Sequence, residues 1–508
     1  MEEVHKSSSS ALLSLNAEAD PSTKPAKVRL TCMLATSVFA SVIGSSFQFG
    51  FQTGVLNNPQ QLLQDEYQYA FAKDRNGTEA KLTDEQVTLY WSLTVSLYAV
   101  GGMIAGFTGS YFATTLGRKK MMLLNNIVLM IGVALMVMAR YIRLFELIIT
   151  GRLILGIHSG FSTVVAPLYL NEISPVNLRG GVGTLHQLGV TLGILISQIL
   201  GLQQIFGNVK YYHLLFGTPA VAGLLQLLTL PMCPESPSWL YITKLKVEES
   251  RKALCTLWGK ADVEHQLSLY AAEVNAQKNR PKVTFGMMFR LRHLRNPLII
   301  AVVMQLSQQW SGIIAVLNYS TSIFKSVGLA ETSAQYSTIG TTGAIVSMTI
   351  LGVLFVDQVG RKPLHLGGLS GCLITMVLLT IALFIQVSAD WAKYMSIVAL
   401  VLFIISFAIG PGSIPWFITA ELFDQASRPY AISLATLVNW TANFSCALLF
   451  PLMQEGIGNY VFIPFIVLLI LFVLFTFFKV PETKNKSTEE IVSLFKKGKT
   501  DNEDVSPL

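Results

Sequence analysis

The side chains with most chemistry to offer are amides set inside apolar stretches. Gln187, Thr191 and Gln198 follow one another at i, i+4 and i+11, Gln305, Gln308, Gln309 and Gly312 share a second helical face, and Asn439 and Asn443 stand one turn apart beside Trp440. An amide both donates and accepts hydrogen bonds, which is the mixture a neutral, hydroxyl-rich solute requires. Polar groups in a lipid-facing position are costly. These amides therefore either tie helices together or line a shared wet cavity, and three such faces in different stretches favour the cavity. Trp416 sits beside Gly410-Pro411-Gly412-Ser413-Ile414-Pro415, a run that must break a helix and free its backbone groups, and Ser311-Gly312 interrupts another stretch. An indole at such a break could stack on a ring and donate its N–H, or simply pack.

Other chemistry finds no support. There is no phosphate-cradling loop, no Cys/His metal spacing and no nucleophile elbow. His158 and His186 stand alone in apolar stretches. The expectation is a protein that is not an enzyme, without cofactor or metal. The charged residues instead repeat. Gly117-Arg118-Lys119 recurs 243 residues later as Gly360-Arg361-Lys362, Glu172 with Arg179 recurs after 249 as Glu421 with Arg428, and Pro234-Glu235-Ser236 recurs after 247 as Pro481-Glu482-Thr483. One long unit has been duplicated, and parallel halves around a central site are an architecture of carriers. Arg118, Glu172, Arg179 and Glu235, matched by Arg361, Glu421, Arg428 and Glu482, could form ion pairs that hold one gate shut, or could be solvated helix ends.

The elements that must position these groups are membrane helices. Of 508 residues, 52% are hydrophobic and 13% charged, and the mean hydropathy is +0.51, which excludes a soluble domain of this size. Apolar runs long enough to cross about 30 Å of hydrocarbon are expected at Leu30–Gly54, Thr88–Phe112, Met121–Ala139, Phe145–Leu170, Val182–Gln204 and His213–Met232, then at Pro297–Phe324, Tyr336–Val356, Leu364–Gln386, Lys393–Ile418, Pro429–Leu452 and Tyr460–Phe478. The expected fold is all-α, with twelve transmembrane helices in two pseudo-symmetric six-helix bundles. The expected organisation is a disordered cytoplasmic tail at 1–28, a bundle at 29–232 with an extracellular loop at 57–87, a cytoplasmic linker with short helices at 233–296, a second bundle at 297–478 and a cytoplasmic tail at 479–508. The linker carries eleven Lys and Arg, and the excess of positive charge on that side places both termini in the cytoplasm. That asymmetry also accounts for the net charge of +7 without nucleic acid. Asn76-Gly77-Thr78 is the sequon that falls in an outside loop, and it marks Asn76 as a glycosylation candidate on a protein of the plasma membrane. The five cysteines fall in spans or on the cytoplasmic side, so no disulfide framework is expected.

Taken in order, Gly117-Arg118-Lys119, Pro234-Glu235-Ser236-Pro237, Gln305-Leu306-Ser307-Gln308-Gln309, Gly410-Pro411-Gly412, Ile414-Pro415-Trp416 and Pro481-Glu482-Thr483-Lys484 resemble the facilitative hexose transporters of animals, the sugar-porter branch of the major facilitator superfamily. The resemblance runs from about Leu30 to Phe495. It implies a sugar site lined by Gln187, Gln308, Gln309, Trp416, Asn439 and Trp440, an intracellular lock made by the Glu and Arg pairs, and a latch within Cys233–Asn296. The Gln305-Leu306-Ser307 triplet is similar to that of members that take glucose and exclude fructose. Departures bear on the same site, and the one at Ser238 thins the lock. Ile314 and Asn318 stand where the family has Asn and Tyr, Ile345 where it has a sugar-binding Asn, Ala408 where glucose carriers have Glu, Trp310 where it has Leu, and Ser238 where it has Arg. Each lost hydrogen bond is worth about 0.5–1.5 kcal/mol net. A fructose or mixed hexose cargo, or urate, therefore stays open beside glucose, with Arg152 as a cation that could meet an anion or serve structure. Symporters of this superfamily use a carboxylate in the first span, where this chain has Gln48 and Gln52. Because Gln does not titrate, the implied activity is uncoupled transport of sugar by alternating access across a lipid bilayer. The alternative from another class is a sugar sensor that binds without transporting.

Overall fold

The computed structural model describes residues 29–74, 82–175, 177–259, 263–278, 283–326, 328–385, 391–424, 426–484, 486 and 488–496. The tail expected at 1–28, the sequon Asn76 and the side chain of Arg179 lie outside the described residues. Where bilayer hydrocarbon surrounds a chain, only a helix satisfies every backbone group within its own segment, and the apolar runs have folded accordingly. The first half crosses as α1 (Cys32–Gly54), α3 (Asp84–Leu116), α4 (Arg118–Ile142), α5 (Glu146–Ile173), α6 (Arg179–Leu200) and α7 (Tyr212–Thr229), with α2 (Gln60–Asp74) between the first two. Helices α8 (Val247–Trp258) and α9 (Val263–Lys278) follow. The second half crosses as the pair α10 (Arg292–Gln309) and α11 (Ile313–Ser326), then α12 (Glu331–Val359), α13 (Arg361–Ile385), the pair α14 (Ala392–Ile409) and α15 (Ile414–Glu421), α16 (Arg428–Ile457) and α17 (Ile463–Lys479), and α18 (Thr488–Lys496) ends the described chain. Counting each broken pair as one crossing, the described residues make twelve.

Small residues set the packing within the first half. Gly50 and Gly54 of α1 face the Gly189 and Gly193 side of α6, while Gly101 and Gly102 of α3 lie against Gly156 and Gly160 of α5. A Cβ on Gly50 would overlap the Val190 carbonyl, and one on Gly156 would overlap the Tyr98 carbonyl. Glycines at four-residue spacing thus let backbones meet directly, as membrane helices do where there is no hydrophobic drive to bring them together.

The halves meet along α3 against α16, α6 against α12, and α1 against α11. At the first seam Trp440 fills the notch over Gly102 and Gly106 and meets Tyr98 and Phe49 edge to face at 5.9 Å each. Helices α8 and α9 cover one end of the first bundle. There Trp258 Nε1 donates to the Ile173 carbonyl at 2.8 Å and Leu257, Leu267 and Val274 join the core of Leu34, Tyr169 and Ile173. Ile491 of α18 packs in turn with Leu294 and Leu298 of α10.

Candidate solute site and gates

Both broken crossings are built by the residues that interrupt them. Gly312, at φ +99°, turns the chain between α10 and α11, in a backbone region that a side chain disfavours. Gly410, Pro411, Gly412 and Ser413 separate α14 from α15. The second break leaves carbonyls without helical partners, and a side chain from the first supplies them. Gln308 Nε2 donates to Pro411 O at 3.0 Å and to Gly412 O at 2.7 Å.

From there a network of amides extends. Asn439 Nδ2 donates to Gln308 Oε1 at 2.6 Å and to Gln305 Oε1 at 2.8 Å, while Gln309 Nε2 donates to Asn439 Oδ1 at 2.8 Å and to Gln308 Oε1 at 3.2 Å. All four side chains are buried. Gln305 Nε2 and Gln309 Oε1 are left as one unpartnered donor and one unpartnered acceptor. The cluster can therefore give and take a hydrogen bond at once, and its centre carries no charge. Trp416, in the first turn of α15, is 36% exposed.

The remaining expected site residues are placed differently. Gln187 lies on α6 in the opposite half and is exposed. Trp440 is buried in the seam between halves. Ile314 is buried, and Asn318 turns back on its own helix, donating to Ile314 O at 3.1 Å. Arg152 is buried among residues of its own half. It donates to Gln52 O at 2.7 Å and stacks over the Tyr98 ring at 4.2 Å.

The matched charges close each half on itself. Gly117, at φ +92°, precedes α4, and Gly360, at φ +114°, precedes α13. At the first, Glu235 accepts the exposed N–H groups of Arg118 and Lys119, both at 3.0 Å, and Arg118 Nη2 meets Glu172 Oε1 at 2.7 Å. At the second, Glu482 accepts from Arg361 N and Lys362 N, both at 3.1 Å, and Arg361 Nε meets Glu421 Oε1 at 3.3 Å. A carboxylate on a helix N-terminus satisfies orphan donors and opposes the helix dipole. Burial tends to raise the Glu482 carboxyl, but these backbone donors, with Lys484 and Thr483, outweigh it and hold the group below the usual carboxylate range. Arg428 donates to Phe423 O at 3.0 Å. Among the described residues, no ion pair joins one half to the other at this end.

The opposite end is fastened across the halves by neutral groups, of which the sequence reading had singled out Gln198 alone, and that as part of an amide face. Asn57 Nδ2 donates to Leu317 O at 2.7 Å and Ser320 Oγ at 2.8 Å, and Asn57 Oδ1 accepts from Thr321 N at 3.2 Å. Thr321 Oγ1 donates to Asn58 Oδ1 at 2.9 Å, and Thr342 Oγ1 to Gln198 Oε1 at 2.6 Å. The available signal was Asn57-Asn58 directly ahead of Pro59, where an apolar run ends.

A family model described as "Sugar (and other) transporter" matches residues 37–495. The chain belongs to that family. It is 42% identical over 479 residues to the chicken protein named solute carrier family 2, facilitated glucose transporter member 1, covering 94% of this chain and 96% of that one. To the human member 4 of the same name it is 41% identical, covering 93% and 92%. Among solved structures it resembles the xylose transporter XylE of E. coli in its inward-open conformation, with a TM-score of 0.73 at 22% identity, over 91% of this chain and 99% of that one. The proton:xylose symporter XylE bound to 6-bromo-6-deoxy-D-glucose is as similar, at 0.73 and 22% over the same shares. These likenesses establish the major facilitator fold for this sugar transporter family member, a multi-pass membrane protein.

Proposed function

We propose that this chain is an uncoupled hexose carrier, with D-glucose as its cargo, working by alternating access in the plasma membrane with both termini cytoplasmic. The observation that carries the reading is the uncharged amide cluster of Gln305, Gln308, Gln309 and Asn439, hydrogen-bonded to the carbonyls of a broken helix. Because Gln308 holds Pro411 and Gly412, a solute that competes for that amide also acts on the break. Binding and hinge are then one event. The relatives named as facilitated glucose transporters support the cargo, and the absence of a span-one carboxylate supports downhill transport. On this reading the Asn57 end faces outside and is shut, and the Gly117 end faces the cytoplasm.

The magnitudes agree. Each cross-half hydrogen bond at the outer gate is worth about 0.5–1.5 kcal/mol net, so a handful gives a bias of a few kcal/mol. That is a range in which a minor outward-open state stays populated. The test is counterflow in proteoliposomes: labelled glucose should accumulate transiently against unlabelled glucose without a proton gradient, and galactose, fructose and urate run beside it rank the cargo. Counterflow absent for all four, or uptake driven uphill by protons, would overturn the proposal.

A further inference from the structure

Beyond the gate lies a cavity of about 430 Å³ that both halves build, within the size range of sites for small molecules. Asn58, Gln61, Asp65 and Gln203 line it from the first half, and Glu331 and Gln335 from the second. Apart from the Gln203 amide, which can give and take, the lining groups left over are acceptors: Asn208 spends its Nδ2 on Gln203 O and Ile205 O and its Oδ1 on Tyr211 N. Asn58 is spent, with Nδ2 on Gln198 O at 2.7 Å and Oδ1 taking Thr321 Oγ1 at 2.9 Å. Gln61 Nε2 donates to Asp65 Oδ1 at 3.0 Å. Gln335 is 1% exposed, and its Nε2 points at Asn58 O at 3.4 Å. Since that carbonyl only accepts, the amide orientation is fixed, and Gln335 Oε1 is left as a buried acceptor without a partner. Lys325 meets Glu331 at 3.4 Å. Glu66, next to Asp65, is held by Arg140 at 3.5 Å. One of the two lining carboxylates therefore has a cationic partner and the other has an amide.

We propose that this cavity is an external binding site for a small hydroxylated ammonium ion, an amino alcohol or amino sugar, distinct from the solute site. The hydroxyl and ammonium protons supply what Gln335 Oε1 and the Asp65 carboxylate lack, and the positive charge suits Asp65, the lining carboxylate left without a cationic partner. Because the walls come from both halves, the site exists only while the outer gate is shut. A ligand there therefore stabilises the inward-facing state and slows the return to the outside. The assignment of sides rests on the carrier reading above, but the binding does not.

The matched probes are protonated tris(hydroxymethyl)aminomethane and pentaerythritol, which has the same branched polyol shape without the charge. With purified full-length protein in a non-amine buffer at pH 7, the amine should raise Tm saturably, pentaerythritol should not, and Asp65→Asn should weaken the effect about tenfold through loss of a charge-assisted contact. Gln335→Leu should also weaken it. In proteoliposomes, external amine at ten times its Kd should slow glucose turnover about tenfold, while Asp65→Asn keeps turnover without amine and loses the inhibition. Equal responses to the two probes, or no saturable response in a protein that performs counterflow, would overturn the site. A saturable amine response in a protein without counterflow would support the site and count against the carrier reading alone.

Discussion

At the scale of single residues, Gln308 does more than any other described side chain in the cluster. It bonds two carbonyls of the broken α14–α15 crossing and accepts from Asn439 and Gln309. Gln308→Ala should weaken sugar binding about 5- to 150-fold, the equivalent of two such hydrogen bonds, as read from the concentration dependence of exchange. An unchanged dependence would remove Gln308 from the site. Trp416→Ala should weaken binding for a different reason, the loss of a ring face, and should leave the Gln308 network in place. The sequence made the amides legible because hydrocarbon tolerates few of them. It could not say that Gln198 meets Thr342 across the halves, or that Asn318 satisfies itself on Ile314, since helical spacing fixes a face but not what that face meets.

At the scale of elements, each Gly-Arg-Lys motif is a helix start capped from a distance. Gly117 and Gly360 take a backbone conformation reserved for glycine, and a Cβ there would lie 2.6 Å and 2.9 Å from the Glu235 and Glu482 carboxylates. Gly360→Ala should cost about 1–3 kcal/mol, measured as a fall in Tm with expression retained. The Glu482 carboxyl is held below its ordinary value of 4.5. A lowered value favours the folded state above the unfolded value and is lost as pH falls through the folded one. The Tm difference between the native chain and Glu482→Gln should therefore be full at neutral pH and shrink below about pH 4. A difference that grows in acid would contradict the cap. The repeated charges predicted paired roles for the two halves. That the described members of each set bind their own half, with Arg428 on a carbonyl, required the tertiary contacts.

At the scale of the whole molecule, the two ends differ in kind: one is shut across the halves by neutral hydrogen bonds, and the other is braced within each half by ions. Asn57→Ala removes contacts to Leu317, Ser320 and Thr321 together. It should move the equilibrium towards the outward-open state by about 1–3 kcal/mol. An Ile314→Cys reporter, buried at 4% exposure here, should then react faster with an impermeant thiol reagent added outside. No change in that rate, in a protein that still exchanges sugar, would show that the gate is held elsewhere.

The sequence by itself determined that this chain crosses a membrane many times, that its two halves repeat, and that uncharged polar groups are kept where lipid would reject them. Composition and period suffice for that, because a bilayer leaves the backbone few alternatives. Only the tertiary structure decided which amides share one network, which glycines allow helices to touch, and which end of the molecule is shut. Those depend on contacts between residues far apart in the chain, such as Gln309 with Asn439 or Asn57 with Thr321, and spacing along one helix carries no record of them.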